Sequence, residues 1–199
     1  MLLGLNMALK VNVKRKRLKM HLFKPDEYYV SVLDIDLNNL KKRGVKGVLL
    51  DLDNTILPRT TYTAPDNLKE WVQSVKDSGF KICCLSNNFH DRVIQCATDL
   101  DVPLLTKCMK PFPLSFFRGK AKIGNLKRKE VVVIGDQFYT DILGAHLSGI
   151  KGILVTPLVL QDLKHTKILR KLDHFVLRGT KPLGGAPAFV GNPEDKPLL

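Results

Sequence analysis

"VKGVLLDLDNTILPRT", residues 45–60, decides how the chain is to be read. Gly47 to Leu50 has no polar alternation, the pattern of a strand covered on both faces of a parallel sheet. The run then ends in two carboxylates, Asp51 and Asp53, with one leucine between them. If the extended path continues to Asp53, residues i and i+2 face the same side and both acids enter one small space. Anions so placed repel each other, and a divalent cation with a taste for hard oxygen ligands is the natural relief.

The same grammar repeats downstream. "PDNLKEWVQSVKDSG" (65–79) carries Leu68, Trp71, Val72 and Val75 at helical spacing, with Pro65 at its start and Gly79 at its end. "FKICCLS" (80–86) reads as a second strand, "DRVIQCATDL" (91–100) as a helix, "VPLLT" (102–106) as a short strand and "PLSFFRGKAKI" (113–123) as a helix. "EVVVIGD" (130–136) is another buried strand ending in an acid; "DILGAHLSG" (141–149) is a helix and "KGILVTP" (151–157) a last strand. Strands alternating with helices imply crossover connections and a mostly parallel sheet between two helical layers, an α/β three-layer sandwich. In such sheets ligands sit beyond the carboxyl ends of the strands. Asp51 with Asp53, Ser86 with Asn87, and Asp136 with Asp141 are therefore expected at one edge, and Lys110 before the fifth of these segments can bring a cation there.

Composition narrows the classes. The 44% hydrophobic content over 199 residues is ample for one core. The expected organisation is a basic arm over 1–24, one globular domain over 25–178 and a Pro/Gly-rich tail over 179–199. Cys83, Cys84, Cys96 and Cys108 include no C-x-x-C, so neither a zinc knuckle nor a disulfide framework is suggested. No apolar run approaches the ~20 residues that span a bilayer. The N-terminal charges follow the apolar residues, the reverse of a secretory signal. The expected location is the cytoplasm, with peripheral contact to a membrane.

The formal charge is +13, and residues 1–24 hold seven basic residues and no acid. Such an arm suits an anionic membrane surface or nucleic acid, or is a solvated tail; initiation at Met7 or Met20 would shorten it. Residues 162–178 read as a basic amphipathic helix. His90, His146, His165 and His174 have no metal-ligand spacing and are read as surface or core residues, as Trp71, Phe80, Cys83 and Cys84 are read as packing.

"DLDNT" (51–55), "LSNN" (85–88), "MKPFP" (109–113) and "IGDQFYTD" (134–141) stand in order and in context. Together they resemble the haloacid dehalogenase (HAD) superfamily of phosphatases. D-x-D-N-T, S-N-N, K-P and G-D-Q-x-x-T-D are similar to its class IIIA, YqeG-type subgroup, over roughly residues 22–178. The resemblance implies a Rossmannoid fold and Mg²⁺-dependent hydrolysis of phosphomonoesters through an aspartyl phosphate. It makes Asp51 the nucleophile, Asp53 the general acid and base, Ser86 and the Asn87 N–H phosphoryl ligands, and Lys110 the stabilising cation. Asp51, the main-chain carbonyl of Asp53, and Asp136 would bind Mg²⁺, with Asp141 a further ligand or its support and Thr55 a brace. The related mitochondrial phosphatidylglycerophosphate phosphatases bring a lipid phosphate into the substrate class.

Only 32 residues separate Asp53 from Ser86 and 23 separate Ser86 from Lys110, too few for a folded cap. An uncovered site favours phosphate borne on something large that closes it. The alternatives are a phosphate-docking module that binds RNA or a ribosomal particle through its basic surface, and a phosphotransferase that passes the group to an alcohol.

Overall fold

The computed structural model describes residue 22, residues 24–159 and residues 180–185. The expected basic arm, except for its last residues, and the basic helix over 162–178 lie outside the described residues. Among the described residues six strands run in chain order: β1 (Glu27–Tyr29), β2 (Gly47–Asp51), β3 (Lys81–Leu85), β4 (Leu104–Leu105), β5 (Val131–Gly135) and β6 (Lys151–Val155). They pair in the order β1-β6-β5-β2-β3-β4, every pairing parallel.

The apolar strands sit centrally. All five residues of β2 and of β5 are buried, as residues covered on both faces must be. Alternation then sorts the core into two layers. Val48 and Leu50 face a cluster with Ile82, Cys84, Val132 and Ile134, covered by α2 (Asp66–Asp77) and α3 (Asp91–Asp99). Leu49 faces the other side with Cys83, Leu85, Val133 and Phe116, covered by α4 (Pro113–Lys122) and α5 (Leu143–Leu147). A short α1 (Leu37–Lys42) adds Leu40 to the first layer. α2 buries Leu68, Trp71, Val72 and Val75, the stripe its periodicity predicts. Each such side chain contributes roughly 1.5–3 kcal/mol, which holds a helix that has no side-chain cap at its start.

From β2 the chain moves outward to β3 and β4, then crosses back to β5 on the other flank of β2. The crevice opened by that reversal lies at the carboxyl ends of β2 and β5, where Asp51 and Asp136 emerge.

The opposite edge of the sheet is fastened by Asp26. Its N–H donates to Gly152 O at 2.9 Å, and its Oδ2 accepts from Gly152 N–H and lies 2.9 Å from His146 Nε2. His146 Nδ1 faces Leu22 O at 2.8 Å. Both partners of the ring are acceptors, so imidazolium alone satisfies them both. The Asp26 hydrogen bond is the main cause that raises the His146 pKa above its usual 6.5, against desolvation. Burial opposes ionisation of Asp26, but the His146 and Gly152 hydrogen bonds outweigh it and hold the carboxyl below its usual range. A raised histidine stabilises the fold fully below pH ~6.5 and loses that contribution as pH climbs through its folded value. Denaturant titrations at pH 6 and pH 8.5 should therefore differ by up to about 1 kcal/mol for this partly solvated pair, with most of the difference absent in His146→Gln. Equal pH dependence in the two proteins would refute the assignment.

Leu183, from the stretch read as irregular, bridges the outer edge of β1: its N–H donates to Tyr28 O and its carbonyl accepts from Val30 N–H, both at 2.8 Å. All four cysteines are free and buried, and desolvation pushes the Cys83 thiol up to about 12. Among the described residues no helix is long and apolar enough to cross a membrane.

Candidate active site

The strand geometry of β2 stops at Asp51, and the chain then wraps around one carbonyl. Leu52 O accepts from the N–H groups of Thr55, Ile56 and Leu57 at 3.2, 3.0 and 2.9 Å. The turn needs a residue at positive φ, and Asn54 supplies it at 67°, a conformation that short polar side chains tolerate. Asn54 is also stitched to the segment after β6. Its Nδ2 donates to Val159 O at 3.0 Å, its Oδ1 accepts from Val159 N–H at 2.9 Å, and its carbonyl accepts from Leu158 N–H at 2.9 Å.

The two acids on either side of Leu52 are held by different partners. Asp51 is buried with Oδ1 2.5 Å from Lys110 Nζ and Oδ2 3.1 Å from Thr55 Oγ1. Thr55 Oγ1 also lies 3.4 Å from Asp136 Oδ1, so the threonine bridges the ends of β2 and β5. The Asp53 carboxylate has different neighbours: Oδ2 accepts from Ser86 Oγ at 3.0 Å and Asn88 Nδ2 at 2.9 Å, and Oδ1 from Arg92 Nη2 at 2.5 Å. The extended path of β2 ends at Asp51, and the two acids, though near enough for Asp53 to raise the Asp51 pKa, have separate hydrogen-bond partners.

Lys110 is the hub. Its buried Nζ contacts Asp51 Oδ1, Asp141 Oδ1 at 2.7 Å and Leu85 O at 3.0 Å. Asn87 aims it: Oδ1 accepts from the Lys110 N–H at 2.7 Å and Nδ2 donates to the Lys110 carbonyl at 3.2 Å. Asp141 arrives differently from expectation. The helix after β5 starts with a wide π turn at Phe138–Ile142, before α5, and this turns the carboxylate back so that Oδ2 accepts from Gln137 N–H at 3.1 Å. Gly135 makes the room; a Cβ there would fall within the Asp141 carboxyl group. His146, further along the same helix, faces Asp26 at the other edge of the sheet and takes no part in the site.

Ligand atoms of Asp51, Asp136 and Asp141 lie within 4.8 Å of one another. Against these carboxylates stands one buried lysine. Desolvation, opposed by Lys110 and reinforced by Asp141 and Asp53, pushes the Asp51 carboxyl up to about 7. Asp136 is raised well above its ordinary range by desolvation, then by Asp51 and Asp141. Burial disfavours the Lys110 cation, yet Asp141 and Asp51 together hold it protonated beyond its usual range. A pocket in which acids resist ionisation for want of positive charge suits a divalent cation, and the all-oxygen donor set suits a hard one. The Asp53 carboxylate stands outside that cluster.

The HAD-hydrolase-like family model matches residues 107–175. Over 162 residues the chain is 36% identical to the probable phosphatase YqeG of Bacillus subtilis, covering 81% of this chain and 94% of that protein. This chain belongs to the HAD superfamily of hydrolases, in the YqeG phosphatase family. Among solved structures, a HAD-superfamily hydrolase from Ehrlichia chaffeensis aligns with a TM-score of 0.49 and 14% identity, over 66% of this chain and 98% of that one. The cobalt-bound deoxy-D-mannose-octulosonate 8-phosphate phosphatase of Haemophilus influenzae aligns at 0.48 and 12%, over 69% and 90%.

Two residues of this HAD site escaped the sequence reading. Arg92, in the first turn of α3, is buried and also donates through Nη1 to the carbonyls of Pro58 and Thr61, each at 3.0 Å. Asn54 is the other. For both the signal was present only as type: an arginine near a helix start, and a polar residue in a turn.

Proposed function

We propose that the protein is a Mg²⁺-dependent phosphomonoester hydrolase whose nucleophile is Asp51, acting on phosphate carried by a large or lipid-borne substrate such as phosphatidylglycerophosphate. The observation that carries this is the setting of Asp51. One carboxylate oxygen is held by Lys110, the other by Thr55, and two further acids lie within ligand distance, all at the open end of the sheet. Asp51, Asp136 and Asp141, with the carbonyl of Asp53, would hold Mg²⁺, which supplies positive charge to the phosphoryl oxygens and lets Asp51 remain ionised.

An Asp51 oxygen attacks phosphorus, forming a P–O bond as the ester P–O bond breaks. Asp53 gives its proton to the departing alkoxide. In the second half a water attacks the aspartyl phosphate, Asp53 takes the water's proton, phosphate leaves and Asp51 is regenerated. Asp53 accepts hydrogen bonds from Ser86, Asn88 and Arg92, which hold its carboxyl in place. Lys110 spans Asp51 and Asp141 and offsets the charge that gathers between nucleophile and phosphoryl group.

The rim supports a large substrate. Tyr62, Phe89, Met109 and Phe112, from three loops at this edge, are 54–66% exposed, and Lys107 Nζ sits 4.4 Å from the Phe89 ring centroid. Exposed apolar side chains on the loops after the strands, with a cation among them, would suit a headgroup at a lipid surface. Phosphate release should be measured with MgCl₂ on phosphatidylglycerophosphate vesicles, a phosphopeptide, a 5′-phosphorylated RNA and glucose 6-phosphate. The vesicles should give the highest kcat/KM. Preference for the sugar phosphate defeats the large-substrate reading, preference for RNA or peptide defeats the lipid one, and no release from any defeats the phosphatase.

A further inference from the structure

We propose that Arg59 is the side chain that receives the phosphoryl group of the substrate, a specificity-determining cation for phosphomonoester dianions. The assignment rests on the phosphatase reading and adds a residue to it.

The side-chain donors around the carboxylates already have protein partners. Lys110 Nζ has three acceptors, Asp51, Asp141 and Leu85 O. Thr55 serves Asp51, Ser86 and Asn88 serve Asp53, and Asn87 serves the Lys110 carbonyl. Arg92 is committed to Asp53 and two carbonyls. Arg59 differs: its Nη1 is shut off from water and has no hydrogen-bond partner among the described residues. A shielded, unmatched guanidinium N–H is a donor in want of an acceptor. The guanidinium is also near enough to Asp136 to favour that carboxylate's charged form.

The loop that carries Arg59 is built to hold it in place. Arg92 Nη1 grips the carbonyls of Pro58 and Thr61, the residues on either side of the Arg59–Thr60 pair, from a buried position on α3. One arginine thus fixes the backbone from which the other reaches.

Charge counting gives the reason. Three carboxylates, Lys110 and a divalent cation sum to zero, so a phosphomonoester dianion would enter a site with nothing left to meet it. Arg59 supplies the missing cation, and its planar fork suits two phosphoryl oxygens at once, which an ammonium does not.

Inorganic phosphate is the probe, titrated by calorimetry into the full chain with saturating MgCl₂, beside KM and kcat on p-nitrophenyl phosphate. Arg59→Gln should weaken phosphate at least about tenfold and raise KM in step, with Mg²⁺ affinity in the absence of phosphate held or improved. Arg59→Lys should recover only part of the loss. Phosphate affinity within about twofold of the parent in Arg59→Gln overturns the assignment, as does a parallel loss of Mg²⁺ affinity, which would mark a collapsed loop. A parent chain that hydrolyses ester while Arg59→Gln is unchanged sinks the arginine alone. A parent that neither binds phosphate nor turns over sinks the phosphatase with it.

Discussion

Asp51→Asn should cut phosphate release by at least about a thousandfold while the chain stays folded, because the change removes the attacking oxygen's charge and almost no volume. Its effect on stability should have the opposite sign. Burial holds the Asp51 carboxyl at about 7, above its ordinary 3.8. The folded chain therefore keeps a proton that the unfolded chain has given up, and without metal stability falls as pH rises across the window from about 4 to 7. The amide has no such proton to lose. In EDTA at pH 8 the variant should melt no lower than its parent, and the melting curve should be flatter with pH. The Tm gain of the parent on addition of MgCl₂ should shrink in the variant, since one ligand is gone. More than about 1% residual turnover would remove Asp51 from the chemistry.

Lys110→Met carries the largest expected loss of stability. The lysine and its two carboxylate partners are all nearly out of water, with side-chain exposures of 3%, 7% and 1% for Lys110, Asp51 and Asp141. Deleting one member of a buried ionic set leaves the others uncompensated, at a cost of about 3–5 kcal/mol. Urea unfolding at pH 7.5 in EDTA should show that loss, and MgCl₂ should recover part of it by restoring positive charge. Lowering pH toward 5 should recover part as well, since the stranded acids then take up protons. A loss under about 1 kcal/mol would mean that Lys110 is not the counter-ion that holds this pocket together.

The fold was legible because its signals are local and periodic. Uninterrupted apolar runs at β2 and β5, and a four-residue stripe on α2, dictate which side chains leave water whatever the rest of the chain does. Asp51, Asp136 and Lys110 were legible for a related reason: a parallel sheet delivers every strand end to one edge. The partners of Asp53 were less legible, since they follow from a turn that is tied through Asn54 to Val159, 105 residues away. Arg92 and Arg59 belong to the same class. Arg92 holds two main-chain carbonyls and the Asp53 carboxylate from far along the chain, and Arg59 Nη1 has no hydrogen-bond partner among the described residues, features that leave no mark on periodicity or spacing. The wide turn that swings Asp141 back to Lys110 is a departure of one residue per turn from the helical count, and only Gly135 beside it hints that something must pass close by.

The stitch between Asn54 and Val159 sets a boundary for the smallest unit that can work. A chain shortened to Thr156 would retain every described strand from β1 to β6 and every acid of the pocket, yet the turn that follows Asp51 would have lost its far anchor. The shape of the turn beside Asp51 is thus secured past β6 by the main chain of two ordinary aliphatic residues, Leu158 and Val159.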